Sequence, residues 1–293
     1  MANLKEVKNR INSVQSTQQI TKAMKMVAAA KLRRAQDKII ELRPYAQKLD
    51  EILGNLGGEE NTSSPYYELR DINKVLIIAI SSDKGLCGAF NSNVFKTTNR
   101  LIEDKYQSLF NSGNVDILPL GKRSFEFFSK RDYSVISDYY EIFSDLSFEK
   151  ARTVAEFAMN KFASGDYDRV HVVYNEFKNV ATQILKTDQL LPIDSSVSDD
   201  NLSAVENDYI FEPNRNEILE DLIPRSVKIK FFKSVLESNA SEHGARMTAM
   251  DKATDNANEL LKELKLTYNR TRQAAITTEI LEIVGGAEAL SNG

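Results

Sequence analysis

The sequence predicts a mixed α/β fold: a long antiparallel coiled coil formed by an N-terminal and a C-terminal helix, plus a central Rossmann-like α/β domain with a largely parallel sheet. Two patterns indicate it. Both ends of the chain have a long helical pattern, and strand and helix patterns alternate between them. The expected domains are the N-terminal coiled-coil helix, 1–57, the α/β domain, 74–212, and the C-terminal coiled-coil helix, 213–293.

The first 56 residues predict one helix, because their first glycine is Gly54 and their only proline is Pro44, which is expected to kink the helix or mark its looser end. Residues spaced alternately three and four apart are apolar in all but three cases, and this pattern is typical of a coiled coil. Such a helix would be roughly 80 Å long. The complete frame is Leu4, Val7, Ile11, Val14, Gln18, Thr21, Lys25, Ala28, Leu32, Ala35, Ile39, Leu42, Ala46, Leu49, Leu53 and Leu56.

The three polar frame positions, Gln18, Thr21 and Lys25, lie together, and apolar residues spread around the helix beside them. One interpretation is that this stretch touches more than one neighbour. The other is that a straight helix drifts against the heptad repeat. The pattern alone favours neither.

A polar linker over 57–73 is followed by a change to shorter elements. Val75–Ile80 is a continuous apolar run, as expected for a strand buried on both faces. The elements predicted after it are a helical stretch over Asn91–Phe110, a strand over Val115–Leu120, a helix over Lys122–Lys130, a strand over Tyr133–Ile136, a helix over Ser147–Phe162, and strands over Arg169–Asn175 and Ala181–Ile193.

A polar loop is expected over 194–208, and after Tyr209–Phe211 a second helical region opens at Pro213 and Asn214. Pro224 is predicted to interrupt it early. From 226 to 290 no proline occurs, which predicts roughly 100 Å of helix. Because the α/β segment returns the chain, the two long helices should run antiparallel, and the longer C-terminal one should project beyond its partner at the tip. Its apolar positions include Met250, Ala253, Ala257, Leu260 and Leu264, then Ile276, Ile280, Ile283, Ala287 and Leu290.

Composition excludes several classes of protein. The longest apolar run is far shorter than the roughly 20 residues of a membrane-spanning helix, and no secretory signal opens the chain. Cys87 is the only cysteine, and His171 and His243 are the only histidines, so neither a disulfide nor a Cys- or His-based metal site or triad is expected. We expect no catalytic residues, cofactor or metal.

The net charge of −4 conceals an asymmetry. Residues 1–56 carry 11 basic and 5 acidic residues, whereas 57–225 carry 18 and 28. Between Glu6 and Asp37 no acidic residue occurs. A helix face in contact with an acidic partner and a simple solvated face explain this run equally well. The basic residues in it are Lys8, Arg10, Lys22, Lys25, Lys31, Arg33 and Arg34.

The loop over 81–90, with the sequence SSDKGLCGAF, follows a strand and precedes a helix, as a phosphate-binding loop would. It lacks the Lys-Ser/Thr pair of the Walker pattern and the third glycine of a dinucleotide fingerprint. A tight turn is the better interpretation, and Asp83 and Lys84 could contact a partner instead. Cys87 fits a small buried residue better than a nucleophile.

Three segments resemble the gamma subunit of bacterial F-type ATP synthase: ITKAMKMVAAAKLRRAQ at 20–36, SEHGARMTAMDKATDN at 241–256 and ITTEILEIVGGAEA at 276–289. The loop over 81–90 also fits. The resemblance thus covers both ends of the chain and the loop; the rest of the central domain matches mainly in architecture. One departure is Gly244, at a position that is often alanine, which is expected to loosen its helix.

The resemblance implies a non-catalytic rotor shaft. The coiled coil would stand inside a ring of three alpha and three beta subunits and couple rotation of the membrane c-ring, driven by proton transport, to sequential change at the catalytic sites. Sodium remains an alternative ion. The α/β domain would contact the c-ring and the epsilon subunit on the cytoplasmic side of a bacterial plasma membrane. No nucleic acid partner and no membrane insertion are implied.

The resemblance also implies contact residues. Contacts with the alpha and beta subunits, or between the two helices, are implied for Lys22, Met24, Lys25, Arg33, Arg34, Arg246, Arg272, Gln273, Thr277 and Glu279, and the residues of the loop are Asp83, Lys84 and Cys87. The tail over 280–290 would turn in an apolar collar. Chloroplast members carry a redox cysteine pair, which a single cysteine cannot form.

Two other functions remain as alternatives. A nucleotide-binding enzyme would use the loop over 81–90 and bind ATP or NAD as an isolated chain. A nucleic-acid-binding protein would use the basic helix and bind DNA with a steep salt dependence. The acidic middle segment and the apolar coiled-coil frame argue against the second.

Overall fold

The computed structural model describes residues 4–56, 64–180, 182–193 and 215–291. The chain forms two compact units. Unit 1 comprises Met1–Val27 and Met247–Gly293, and unit 2 comprises Ala28–Arg246. Each of the two long terminal helices therefore contributes a segment to both units.

Six α-helices and five strands are found in the described part of the chain. The helices are α1 (Leu4–Leu56), α2 (Phe90–Lys105), α3 (Gln107–Asn111), α4 (Lys122–Phe128), α5 (Phe148–Ala163) and α6 (Arg215–Ser291). The strands are β1 (Val75–Ile80), β2 (Val115–Leu120), β3 (Ser134–Val135), β4 (Arg169–Phe177) and β5 (Gln183–Leu191). Short 3-10 helices cover Pro65–Tyr67 and Ile142–Ser144.

The five strands form one sheet in the order β3-β2-β1-β4-β5. β1 pairs in parallel with β2 and with β4, and β2 pairs in parallel with β3. Only β5 is antiparallel, paired with β4. The prediction of a largely parallel sheet is confirmed.

The sheet separates two apolar cores, as in a doubly wound α/β domain. On one face, Leu76 and Ile78 of β1 pack with α5 and with Phe231 of α6. On the other face, Val75 and Ile77 pack with α2. Every residue of β1 is buried because both faces are covered, which explains its continuous apolar sequence.

The coiled-coil frame of α1 is confirmed residue by residue. Every frame position from Leu4 to Leu53 is buried or half-buried. Pro44 lies inside the helix, which continues to Leu56.

The predicted interruption at Pro224 is wrong, because α6 runs through it without a break. Proline removes one backbone hydrogen bond and costs about 3 kcal/mol inside a helix. Here the turns on both sides are held by buried side chains, Leu219 and Ile223 before the proline and Val227 after it. Tertiary packing therefore outweighs the local penalty.

The helical stretch predicted over 91–110 is split at Tyr106. This residue has a non-helical φ of −130° and separates α2 from α3. Its side chain is buried, and its hydroxyl lies 2.7 Å from Nε2 of His171 on β4. The contact with the sheet accounts for the break, and no sequence periodicity reports such a contact.

Gly244 does not break α6. A Cβ at this position would lie 3.3 Å from the ring of Phe177, so glycine allows α6 to approach the end of β4 closely. The expected loosening of α6 is not seen in its backbone.

At the start of α5, Ser147 caps that helix by accepting a hydrogen bond from the Lys150 amide.

The polar loop expected over 194–208 and the segment Tyr209–Phe211 lie outside the described residues, as do 57–63 of the linker. Within the described residues, no helix has the length and apolar character needed to cross a membrane.

Candidate partner-contact surfaces

The two helices of unit 1 are antiparallel and joined by polar pairs. The Gln18 amide donates to Oδ1 of Asn258, and the Thr21 and Thr254 hydroxyls lie 2.8 Å apart. The Lys25 ammonium contacts Asp251 at 2.5 Å. As residue numbers rise along α1, those of the paired residues fall along α6. This confirms the predicted antiparallel orientation of the two helices.

These pairs give the polar frame positions a role that the sequence left open. Each one faces a polar residue of α6. A polar residue in an apolar coiled-coil interface fixes the register of the helices at some cost in stability. The signal is present in the sequence, because Asp251, Thr254 and Asn258 also have three-four spacing.

The same register accounts for the free end of α6. Counting equal numbers of residues from the Gln18–Asn258 pair brings Leu4, the first residue of α1, opposite Arg272. Beyond this point α6 has no partner among the described residues, and its apolar side chains are exposed. They are Ile276, Ile280, Leu281, Ile283 and Val284, with exposed fractions of 47–71%.

The predicted contact residues on this segment of α6 are also exposed. Arg272, Gln273, Thr277 and Glu279 all lie on the solvent-facing surface. Only the Thr277 hydroxyl is used within the helix, where it donates to the Gln273 carbonyl. The end of α6 therefore offers polar and apolar groups together.

On α1 the predicted contact residues divide into two kinds. Lys22, Arg33 and Arg34 are exposed, and no carboxylate of the described residues lies within ion-pair distance of them. Met24 is half-buried, and Lys25 faces α6 through its pair with Asp251. Lys22 in unit 1 and Arg33 and Arg34 in unit 2 are therefore exposed basic residues of α1, and Lys25 belongs to the interhelix contact.

The loop over 81–90 lies at the carboxyl end of β1, where doubly wound sheets bind their ligands. In this loop, the backbone groups that would bind a phosphate already make hydrogen bonds within the chain. The Ser82 amide donates to Asn91, the Ser124 amide donates to the Ser81 hydroxyl, and the Arg123 amide donates to the Ser82 carbonyl. A Cβ on Gly121 would collide with the Ser81 carbonyl. This crevice is filled by the chain itself, which disfavours the nucleotide-binding alternative.

The loop residues singled out from sequence differ in accessibility. Asp83 is half-buried and accepts a hydrogen bond from the Lys122 amide, and Lys84 is exposed. Cys87 is only 1% exposed. Burial raises the pKa of its thiol, so the residue fits a buried structural cysteine.

Arg246 of α6 belongs to unit 2 and contacts the loop over 81–90. Its guanidinium donates to the carbonyls of Lys84 and Gly85, at 3.0 and 2.5 Å, and to the Glu242 carboxylate. The side chains of Arg246 and Glu242 are only 11% and 10% exposed. Sequence reasoning named Arg246 as a contact of the shaft; in the structure its donors are occupied by the loop and by Glu242.

No group of three or more His, Cys, Asp or Glu side chains suited to a metal ion occurs in the described residues.

The features above define a class of protein. It has a two-helix coiled coil and an inserted doubly wound α/β domain, and the ligand crevice of that domain is closed. The accessible features of the two long helices are exposed basic residues and an exposed helix end.

Comparisons with known proteins identify the family. The family model described as ATP synthase matches residues 3–290. The ATP synthase gamma chain of Cytophaga hutchinsonii is 58% identical over 295 residues and is covered completely, as is this chain. That of Flavobacterium psychrophilum is 53% identical over 293 residues, with 99% of each chain covered. The chain belongs to the ATP synthase gamma-chain family.

Solved structures agree in fold. The central stalk and c-ring structure of the Tetrahymena thermophila mitochondrial ATP synthase matches with a TM-score of 0.57 at 25% identity, over 80% of this chain and 99% of that one. The rotor of the Euglena gracilis mitochondrial enzyme in rotational state 1 matches with a TM-score of 0.64 at 22% identity, over 93% and 98%.

Proposed function

We propose that this chain is the central rotor shaft of a bacterial ATP synthase. It transmits rotation of the ion-driven membrane c-ring to the ring of three alpha and three beta subunits, whose catalytic sites change state in sequence. The observation that carries this proposal is the antiparallel helix pair of unit 1, in which α6 extends past the start of α1 with exposed apolar and polar side chains.

The physical requirement is asymmetry. A partner shifts the conformational equilibrium of a subunit only through contacts that differ between conformations. A pair of helices has no threefold symmetry, so three identical subunits around it meet three different faces. The polar interhelix pairs keep those faces in fixed register, which supports transmission of torque.

The contact residues follow from accessibility. Lys22, Arg33 and Arg34 face acidic segments of the beta subunits, and Met24 borders them. The end of α6 turns in an apolar collar at the top of the ring. On this end, Arg272, Gln273, Thr277 and Glu279 supply directional hydrogen bonds and charge. Lys25 and Arg246 act from inside the chain, through Asp251 and through the loop over 81–90.

The remaining features complete the proposal. The chain is not itself a catalyst, and the closed crevice at the carboxyl end of β1 supports this. For function we divide it into a coiled-coil helix over 1–57, an α/β domain over 74–212 and a coiled-coil helix over 213–293. The α/β domain contacts the epsilon subunit and the c-ring, and the complex is peripheral, on the cytoplasmic side of the plasma membrane.

Purification of the tagged chain from membranes tests this function. We expect the alpha and beta subunits to co-elute, and we expect the chain separated from them to hydrolyse no ATP. Removal of the exposed end of α6, by a stop codon at Gln273, should leave the interhelix pairs intact and reduce ATP synthesis in reconstituted vesicles. Absence of the alpha and beta subunits from the eluate, or hydrolysis by the isolated chain, would contradict the proposal.

A further inference from the structure

Unit 2 contains a cavity that the proposed shaft function does not involve. It has a volume of about 280 Å³, is open to solvent and lies where α1, α5 and α6 meet. Half of the residues that line it carry a positive charge, and the other half present aromatic or aliphatic carbon. The cations are Arg152, Arg225 and Lys228, and the apolar wall is formed by Tyr45, Phe148 and Ile229.

Most of the apolar wall is held in place before any ligand binds. Ile229 is buried, and the ring of Phe148 packs edge-on against that of Phe232, with 5.4 Å between the ring centroids. Tyr45, by contrast, is 50% exposed. A site whose wall is already ordered loses little conformational entropy on binding, and an exposed tyrosine ring offers a flat face to another aromatic group.

The three cations form ion pairs that a stronger acceptor can replace. The paired side chains are 21–66% exposed, and ion pairs in such surroundings contribute no more than about 1 kcal/mol. A phosphate group carries about two negative charges and several strong acceptor oxygens, so it can draw donors from more than one pair. The pairs are Arg152–Glu149 at 2.8 Å, Arg225–Asp221 at 2.9 Å and Lys228–Glu156 at 2.8 Å, and Nε of Arg152 also lies 3.7 Å from Glu156.

The two halves of the cavity restrict the chemistry of its ligand. The cations require an anion with several acceptor oxygens, and the apolar wall requires a flat body attached to that anion. The volume of about 280 Å³ lies just below the range of about 300–1,000 Å³ that is typical of sites for drug-sized ligands, which limits the body to one ring system.

The carboxylates beside the cavity restrict the ligand further. Glu149 and Asp221 are 66% and 62% exposed, and they would repel an anionic membrane surface. The same carboxylates can accept hydrogen bonds from hydroxyl groups. A compact, soluble ligand that carries hydroxyl groups therefore fits this surface better than a phospholipid does.

We propose that this cavity binds an aromatic phosphate of mononucleotide size. The phosphate accepts hydrogen bonds from the three cations, the ring lies against the apolar wall, and sugar hydroxyls donate to the flanking carboxylates. The site shares no lining residue with the loop over 81–90, whose backbone groups are already hydrogen-bonded within the chain. The inference goes beyond the shaft function and does not depend on it.

Isothermal titration calorimetry of the full-length chain tests the ligand class. AMP is the probe, and adenosine and inorganic phosphate each carry only one of its two recognised parts. We expect AMP to bind saturably and at least tenfold more tightly than either part. Equal binding of AMP and inorganic phosphate, or of AMP and adenosine, would overturn recognition of the combined ligand. Absence of AMP binding would overturn the site.

A lipid source of the phosphate is distinguished by cosedimentation. The probe is a vesicle of phosphatidylcholine that contains phosphatidic acid, which presents the same phosphate group on a membrane. We expect the full-length chain to remain in the supernatant, because exposed carboxylates flank the cavity. Cosedimentation with these vesicles would overturn the choice of a soluble ligand.

The cationic half is tested by removing one ion pair as a unit. Arg225→Gln with Asp221→Asn takes away a cation of the cavity together with its partner, so no unpaired charge is left. We expect AMP affinity to fall at least tenfold, the loss typical of a hydrogen bond to a charged group. The control is Arg123→Gln with Glu126→Gln, which removes a similarly exposed pair of α4 beside the loop over 81–90. Unchanged affinity in the Arg225 variant, or an equal loss in the control, would overturn the site.

The apolar half is tested at Tyr45. Tyr45→Ala removes the ring from an exposed position of α1 at which alanine favours the helix. It should lower AMP affinity roughly tenfold and leave binding of inorganic phosphate unchanged, because phosphate does not use the ring. Tyr45→Phe keeps the ring and should bind AMP within about twofold of wild type. Equal losses for AMP and phosphate in Tyr45→Ala, or none for AMP, would overturn the contact with the ring.

The site and the shaft function fail separately. Co-elution of the alpha and beta subunits tests the shaft, whereas calorimetry with AMP tests the cavity. If the chain co-elutes with both subunits and binds no AMP, only the site fails. If it binds AMP at this cavity and neither subunit co-elutes, the site stands and the shaft function fails.

Discussion

In the sheet of unit 2, every residue of β1 and β2 is buried, whereas the helix pair of unit 1 carries hydrogen-bonding and charged side chains across its interface. The sheet is stabilised by removing apolar surface from water, a non-directional effect. The polar pairs contribute less free energy but allow only one register. Unit 2 is thus built for stability, and unit 1 for a defined relative position of two helices.

The largest effect is expected in the sheet. Ile78 is fully buried on β1, and Ile78→Ala should lower the free energy of unfolding by about 2–5 kcal/mol through lost burial and a residual cavity. Urea denaturation of the full chain, followed by circular dichroism, measures the change. Ile40→Ala is the control, because Ile40 is 62% exposed. Similar losses at both positions would remove the distinction between a packed sheet and a helix surface.

A second effect in the sheet depends on pH. Burial lowers the pKa of His171 from 6.5 to about 4, with Lys105 and Arg169 adding to the shift. As the pH falls, the unfolded chain binds the proton at a higher pH than the folded chain does. The free energy of unfolding therefore has its full value above pH 6.5 and decreases as the pH falls towards 4. The loss is about 3 kcal/mol.

His171→Gln is the matched variant for this titration, since glutamine keeps a partner for the Tyr106 hydroxyl and carries no titratable group. We expect its unfolding free energy to fall less steeply than that of wild type between pH 6.5 and 4. Parallel curves for the two proteins would show that His171 does not titrate between the folded and unfolded states.

A smaller effect belongs to the helix pair. Lys25→Glu places two carboxylates together at the Asp251 contact, and the free energy of unfolding should fall by about 1 kcal/mol, since both side chains are partly exposed. The swap of Lys25→Glu with Asp251→Lys should recover most of the loss, and the loss should shrink in high salt. A swap no more stable than the single variant would argue against a direct pair.

The smallest effect on stability is expected at the exposed basic residues. Lys22→Glu with Arg33→Glu should change the free energy of unfolding by less than about 0.5 kcal/mol. ATP synthesis in reconstituted vesicles should nevertheless decrease, because the outward cations would no longer attract acidic segments. Arg43→Glu, exposed on α1 but outside the acid-free stretch, serves as control. Unchanged synthesis would exclude these basic residues as contacts.

The sequence predicted those features that depend on local pattern. The heptad frame of α1, the buried strand β1 and the strand β2 are visible in residue spacing and type, and the structure confirms each of them. The break at Tyr106 and the continuous helix through Pro224 were not predicted, because a distant contact decides the first and packing of neighbouring turns decides the second.

The contact residues show the same division. The sequence identified the basic stretch of α1 and the exposed end of α6 as unusual, since charge and apolar content are read directly from residue types. The heptad frame placed Lys25 in the coiled-coil interface and Lys22 outside it, but the sequence did not name Asp251 as the partner of Lys25. It also could not show that Arg246 holds the loop from within.

The sequence by itself therefore determined which segments are helices and strands, and which family the chain resembles, because periodicity and short motifs are properties of neighbouring residues. Only the tertiary structure decided which polar groups are paired and which are free to meet a partner. The reason is that pairing is a matter of distance in space, and residues as far apart in sequence as Lys84 and Arg246 meet only once the chain has folded.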